Sequence, residues 1–262
     1  MNKQLNLLYF SATDTTEKVV RAIAKGICDN VIEYNITLPE NRRREVNFTE
    51  NDIVIVGVPV YAGRVPDFLA KYFDRIKGSN TYAVFIVVYG NREYDDALLE
   101  LKNICVKNGF IGIAGAAFVG EHSYTEKLAT GRPDTSDLNI AFNFGLLIKE
   151  KLLASEKQLL LHNLTVRGKY PYREGMIYEP VMIDTDEICI NCGTCSENCP
   201  MGAINKSNTK DIDINKCIRC CACIKKCPVN AKDIKYEPHK EFINILINKY
   251  CKRQEPELFG IE

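Results

Sequence analysis

Three histidines in 262 residues, no apolar run of membrane-spanning length and no surplus of either charge sign mark this chain by what it is short of. None of the histidines sits beside a cysteine or carboxylate in a recognisable catalytic motif, so no triad or general base is implied. Lys and Arg number 34, as do Asp and Glu, which leaves zero formal charge and no overall basic pull toward nucleic acid. The longest apolar stretches, such as 82–89, are strand-sized and fall well short of the roughly 20 residues that a membrane helix needs. The run Leu5 to Phe10 is too short for a signal-peptide core and leads straight into a polar loop. The expectation is a cytoplasmic protein in a reducing compartment, where thiolates persist.

Cysteine is what the chain has in quantity, and it is concentrated. Nine of the twelve lie between 189 and 227, while Cys28, Cys105 and Cys251 are scattered without motif spacing and read as structural thiols. The run Cys189-x2-Cys192-x2-Cys195-x3-Cys199-Pro200 returns at an offset of 28 residues as Cys217-x2-Cys220-x2-Cys223-x3-Cys227-Pro228. A three-residue step lets successive thiolates point inward around one cubane. Zinc ribbons instead pair C-x2-C units across longer gaps and need only four ligands, so a zinc site or a disulfide framework is the weaker reading. Cys221 falls where the first copy has Gly193, and it is left out of the ligand set.

Over about residues 183–237 this pattern resembles the bacterial two-cluster ferredoxins. The resemblance implies a small α+β domain with crossed ligation, in which the cysteine before each proline serves the neighbouring cluster. Cys189, Cys192, Cys195 and Cys227 would then hold one [4Fe–4S] cluster, and Cys217, Cys220, Cys223 and Cys199 the other. Free-standing ferredoxins are commonly strongly acidic, whereas residues 184–235 carry seven Asp or Glu against eight Lys or Arg. That balance removes the usual electrostatic handle for basic partners and points to a covalently attached first partner.

Residues 1–153 supply it. Apolar runs at 5–10, 31–36, 52–58, 82–89 and 111–119 read as strands buried on both faces. Helical periodicity fills the gaps: Val19, Val20, Ile23, Ala24 and Ile27 make one stripe, and further helices are expected over about 66–77, 94–108 and 136–153. The alternation predicts an α/β fold with a five-stranded, doubly wound parallel sheet, whose ligand lies beyond the carboxyl ends of the strands.

Three loops leave those strand ends. Ser11, Thr13, Asp14, Thr15 and Thr16 gather hydroxyls and free N–H groups at a helix N-terminus, which is a phosphate site in physical terms and, read alone, a plain capping segment. Pro59, Val60, Tyr61, Ala62, Gly63 and Arg64 form a proline-bounded turn. Tyr89, Gly90, Asn91, Arg92, Tyr94 and Asp95 form the third loop. In this order, over about residues 1–150, they resemble the phosphate loop and two isoalloxazine loops of flavodoxins. The resemblance implies strand order 2-1-3-4-5, bound FMN, tyrosines such as Tyr61, Tyr89, Tyr94 and Tyr124 beside the ring, and Arg64 or Arg92 near its pyrimidine end. Asp14 stands where flavodoxin loops usually carry glycine. Aspartate tolerates the left-handed backbone, but its carboxylate repels a phosphate unless it turns outward or caps the helix.

The expected layout is a flavodoxin-like FMN domain (1–153), an ordered linker (154–183) with the aromatic turn Gly168 to Arg173, a two-cluster ferredoxin domain (184–237) and a helical tail (238–262). The tail stripe Phe242, Ile243, Leu246, Ile247 and Tyr250 reads as packing on the chain itself, and Arg42, Arg43 and Arg44 as a solvated charge cluster. A flavodoxin–ferredoxin fusion of this kind implies an electron-transfer protein that relays electrons between FMN and two [4Fe–4S] clusters, suited to anaerobic metabolism. The partners expected are redox proteins, with a homodimer allowed and neither nucleic acid nor membrane among them. The alternative is an FMN-dependent oxidoreductase acting on a nicotinamide, quinone or other small molecule. Gly112-x-x-Gly115 lies within an apolar strand and fails as a dinucleotide fingerprint.

Overall fold

The computed structural model describes residues 3–153, 163–175 and 183–261. In chain order its first elements are β1 (Gln4–Tyr9), α1 (Thr15–Ile27), β2 (Val31–Asn35), β3 (Val46–Phe48), β4 (Asp52–Pro59), α2 (Asp67–Phe73), β5 (Ile76–Gly78), β6 (Thr81–Tyr89), α3 (Ala97–Lys107), β7 (Phe110–Val119) and α4 (Thr135–Leu153). There follow β8 (Asp184–Thr185), β9 (Lys232–Asp233), a C-terminal helix (Glu237–Tyr250) and β10 (Glu257–Phe259).

The main sheet runs β10-β7-β6-β4-β1-β2. Its five long strands are parallel and, counted among themselves, take the order 2-1-3-4-5 of flavodoxin-like doubly wound sheets. All nine residues of β6 are buried, as a central strand covered on both faces requires. On one face α1 and α4 set Val19, Ile23, Phe144 and Ile148 against Leu5, Ile55 and Val84. On the other, α2 and α3 contribute Leu69, Phe73, Leu98 and Leu101. The two helices of the first face cross at Gly26 and Gly145. A Cβ at Gly26 would lie 2.2 Å from the Phe142 carbonyl oxygen, so only glycine allows this approach.

Two helix expectations overran. The second helix stops at Phe73, because Ile76–Gly78 leaves to pair in parallel with Val46–Phe48, burying Ile76 and Phe48 together. The third starts at Ala97, since Asp95 has φ 44 and residues 95–96 form a turn.

The larger correction concerns the sheet edge and the domain boundaries. A sixth strand, β10, pairs antiparallel with β7, placing Leu258 opposite Ala116. Leu164 and Val166, from the segment expected to be a linker, are buried in the core of the second face. Asp96 accepts from the backbone N–H groups of Lys169 and Arg173, both at 2.8 Å, which pins the Gly168–Arg173 turn to the N-terminal end of α3. The rest of the expected linker, 154–162 and 176–182, lies outside the described residues. The N-terminal domain is therefore completed by chain from both sides of the cysteine-rich region, and the reading of 238–262 as a helical tail omits its strand. Period-2 patterning has little to register in a three-residue strand.

In the cysteine-rich region β8 pairs antiparallel with β9, and each cysteine run folds over a one-turn helix, Thr194–Glu197 and Ala222–Lys225. Gly193 (φ 84) and Cys221 (φ 59) hold the same left-handed position before these helices, so the repeat seen in sequence is also a repeat of backbone. No helix among the described residues is long and apolar enough to cross a membrane.

Candidate cofactor sites

A cavity of about 370 Å³ lies at the carboxyl ends of β1, β4, β6 and β7, within the usual range for small-molecule sites. Its walls include Thr13, Thr15 and Thr16 from the first loop, Pro59, Val60, Tyr61 and Ala62 from the second, and Tyr89, Gly90 and Arg92 from the third. The three loops that the sequence singled out thus converge on one space.

The first loop has the geometry of an anion cradle. Asp14 has φ 64 and ψ −1, the left-handed turn that delivers the chain into α1, and its side chain makes no capping bond. The Asp14 carboxylate turns away and meets the Lys226 ammonium at 2.8 Å. The Thr16 hydroxyl is buried without a hydrogen-bond partner, although its residue lines the cavity. An orphaned hydroxyl beside the free N–H groups of a helix N-terminus is what a phosphate would satisfy. The donor set fits FMN. Four cationic residues on the wall (Arg92, Arg173, Arg219, Lys249) face two acidic ones, Glu93 and Glu121.

Seven expected contacts lie off the cavity wall. Ser11 is buried and works locally, its hydroxyl oxygen accepting from the Glu17 N–H at 3.0 Å. Asp14 is committed to Lys226. Gly63 (φ 82) turns the second loop where a Cβ would fall 2.1 Å from an Asp95 carboxylate oxygen. Arg64 is held by Glu100 through two bonds of 2.7 and 2.6 Å, so its guanidinium braces the loop from behind and does not reach a flavin ring. Asn91 donates to the carbonyls of Tyr250 and Lys252 at 2.7 and 2.9 Å and accepts from the Gln254 N–H, clamping the C-terminal segment. Tyr94 is fully buried, its hydroxyl donating to Glu257 at 2.7 Å. Asp95 pairs with Arg92 and Arg173. For all but Gly63 a local or long-range polar partner outcompetes the cavity.

Tyr124, expected beside the ring, lines the cavity, and the wall also contains groups to which sequence reasoning assigned no such place: Gly120 to Ser123 after β7, Ile218, Arg219 and Cys220 from the second cysteine run, and Phe242, Ile245, Leu246, Lys249 and Tyr250 from the C-terminal helix. The apolar stripe of that helix was legible; the cavity as its destination was not.

His122 accepts at Nδ1 from the Tyr124 N–H at 3.2 Å. Burial, then the positive surroundings of Lys225, His239 and Arg92, lower its pKa to about 4. Between about 4 and the unfolded value of ~6.5, the unfolded chain binds a proton that the folded chain refuses. Stability from this group therefore rises with pH through that window and is flat above it. Unfolding free energies from urea titrations at pH 5 and pH 6 should differ by at most about 1.4 kcal/mol from His122, less in proportion to its residual contact with water. His122→Asn should remove that slope.

The cysteines are all free. Burial pushes the Cys217, Cys220 and Cys223 thiols up, Cys220 to about 12, and the Cys199 thiolate lies near enough to add to each. Cys199 thus lies within electrostatic reach of all three. The two cysteines before proline repeat one contact: Cys199 Sγ accepts from the Ala203 N–H and Cys227 Sγ from the Ala231 N–H, both at 3.2 Å. N–H donors aimed at sulfur are a means of tuning cluster potential, so the sites fit iron–sulfur clusters. Cys221 is buried with Ile183 and Ile234, and Cys217 and Cys223 pack against the same small cluster.

Three ties dock this region on the loops. Lys226 reaches Asp14, Lys225 pairs with Glu121, and Arg42 donates to the Pro200 carbonyl. Arg42 also lies over the Phe10 and Phe68 rings, 5.9 and 5.3 Å from their centroids. The expectation of a solvated arginine cluster fails at this residue.

Residues 181–228 match the family model described as a 4Fe-4S dicluster domain. A comparison with curated proteins gives no match. Among solved structures, a flavodoxin from the domain Archaea is 16% identical, with 57% of this chain and 98% of that one covered at a TM-score of 0.41. Fusobacterium nucleatum flavodoxin bound to flavin mononucleotide is 17% identical over 57% and 98%, TM-score 0.39. Flavodoxin 1 from Bacillus cereus is 20% identical over 58% and 100%, TM-score 0.39. With its flavodoxin-like strand order in the N-terminal part and its dicluster match in the C-terminal part, the chain fits a flavodoxin–ferredoxin fusion.

Proposed function

We propose that the chain is an electron-transfer protein in which FMN, held by the three strand-end loops, exchanges electrons with two [4Fe–4S] clusters and through them with a redox partner protein. One observation carries the reading: Cys220, an expected cluster ligand, lies on the wall of the same cavity that the loops 12–16, 59–62 and 88–93 enclose. Flavin accepts electrons singly or in pairs while each cluster passes one, so the pairing suits storing and splitting electrons.

The residues have distinct tasks. Thr13, Thr15 and Thr16 with the N-terminus of α1 would hold the phosphate. Tyr61 and Tyr89 offer flat faces with polar tips to the ring. Burial raises the Tyr89 phenol to about 12, so it stays protonated and adds no negative charge beside a reduced flavin. Phe242, Ile245 and Leu246 give the cavity an apolar wall from the C-terminal helix.

Anaerobic reconstitution should load FMN in equal proportion to protein and about eight iron atoms per chain, since each cubane contains four. Four iron atoms would remove the two-cluster assignment. Rapid bleaching of the flavin by NADH or NADPH, with no partner protein present, would replace the carrier reading with that of an oxidoreductase.

A further inference from the structure

The eight cluster cysteines are not placed alike. Cys220 is 8% exposed and is the one member of either ligand set among the described residues lining the cavity, with Ile218 and Arg219 beside it. Cys192, in the other set, is exposed to solvent, and Cys189 is flanked by Ile188 and Ile190, which are 59% and 64% exposed. The ties from Asp14, Glu121 and Arg42 grip the segments around Pro200 and Cys227 and hold this orientation. The C-terminal helix lines the cavity on another side.

Resting on the electron-carrier reading, we propose that the two cluster sites have fixed and unequal places in the route: the Cys217, Cys220, Cys223 and Cys199 site is the flavin's neighbour, and the Cys189, Cys192, Cys195 and Cys227 site is the outlet to the partner. Each step moves one electron between adjacent centres, and a one-electron redox protein is the terminal donor or acceptor. No atom is transferred. The assignment follows from distance dependence: electron transfer falls steeply with separation, so the centre ligated at the cavity wall exchanges with the flavin, and the one under exposed thiolate and isoleucine exchanges with what docks.

Magnetic relaxation reads the order without turnover. A reduced cluster close to a singly reduced flavin speeds the relaxation of the flavin's EPR signal, which then resists microwave power saturation. In full-length protein loaded with FMN and iron, Cys192→Ala should leave the half-saturation power of that signal within twofold of wild type. Cys217→Ala should lower it at least tenfold. Should Cys217→Ala fail to fold, wild type answers the same question: an iron chelator added stepwise should take the outer cluster first, leaving flavin saturation unchanged until the second cluster goes. The reverse response, or equal responses to loss of either cluster, overturns the order. Wild type that loads neither FMN nor iron overturns the carrier reading itself, a distinct result seen before any variant is made.

Discussion

Cys220→Ser is expected to strip about four iron atoms from the reconstituted chain, and Cys221→Ser to strip none, although the two residues are adjacent. The backbone separates their roles. Cys221 occupies the left-handed position filled by Gly193 in the first run, and that turn sends its side chain into a small core with Ile183 and Ile234. Cys220 instead joins the core of the second sheet face and lines the cavity, and burial, with Cys199 and Cys217 nearby, raises its pKa. Iron analysis after anaerobic desalting distinguishes the variants. Equal iron in Cys220→Ser and wild type would show that the repeat has been read in the wrong register.

Removing residues 252–262 should be the most damaging change that touches no expected ligand. The segment supplies β10, without which β7 becomes an exposed sheet edge. It also supplies the Gln254 carbonyl that accepts from Arg132, whose guanidinium is otherwise buried against Asp137. The Lys252 carbonyl that accepts from Asn91 goes too, as do the Glu257 carboxylate bonded to Tyr94 and the Gly260 carbonyl bonded to Lys151. Leaving even two such buried groups short of partners costs on the order of 3 kcal/mol, so the urea midpoint should fall sharply. FMN affinity should drop at least tenfold as well, because Asn91 keeps only the Tyr250 carbonyl of the three contacts that clamp the end of the helix lining the cavity. Unchanged affinity would mean that the helix holds its place without the clamp.

Much of this was readable in the chain because its periodicities are strong. Thr81–Tyr89 is apolar throughout and is the central strand; Val19 to Ile27 forms a helical stripe and faces the sheet. The cysteine runs were legible because ligand spacing is a local property. What escaped was non-local. Glu100 lies thirty-six positions from Arg64 and captures it; Lys226 lies more than two hundred from Asp14. Asp14, which looked like a defect in a phosphate loop, is the loop's anchor for the cysteine-rich region. Pairings at such separations leave no pattern in a single sequence, and the same holds for β10, whose three residues find β7 only once the fold exists.

The return of the chain to its first domain has a consequence for biosynthesis. A ribosome finishes the cysteine-rich region before it makes the strand that seals the sheet, so the α/β half stays unfinished until after that region has been made. Translation order therefore ties maturation of one half to the other, and a nascent polypeptide stalled between them would display a raw hydrogen-bonding edge to the cell's quality-control machinery.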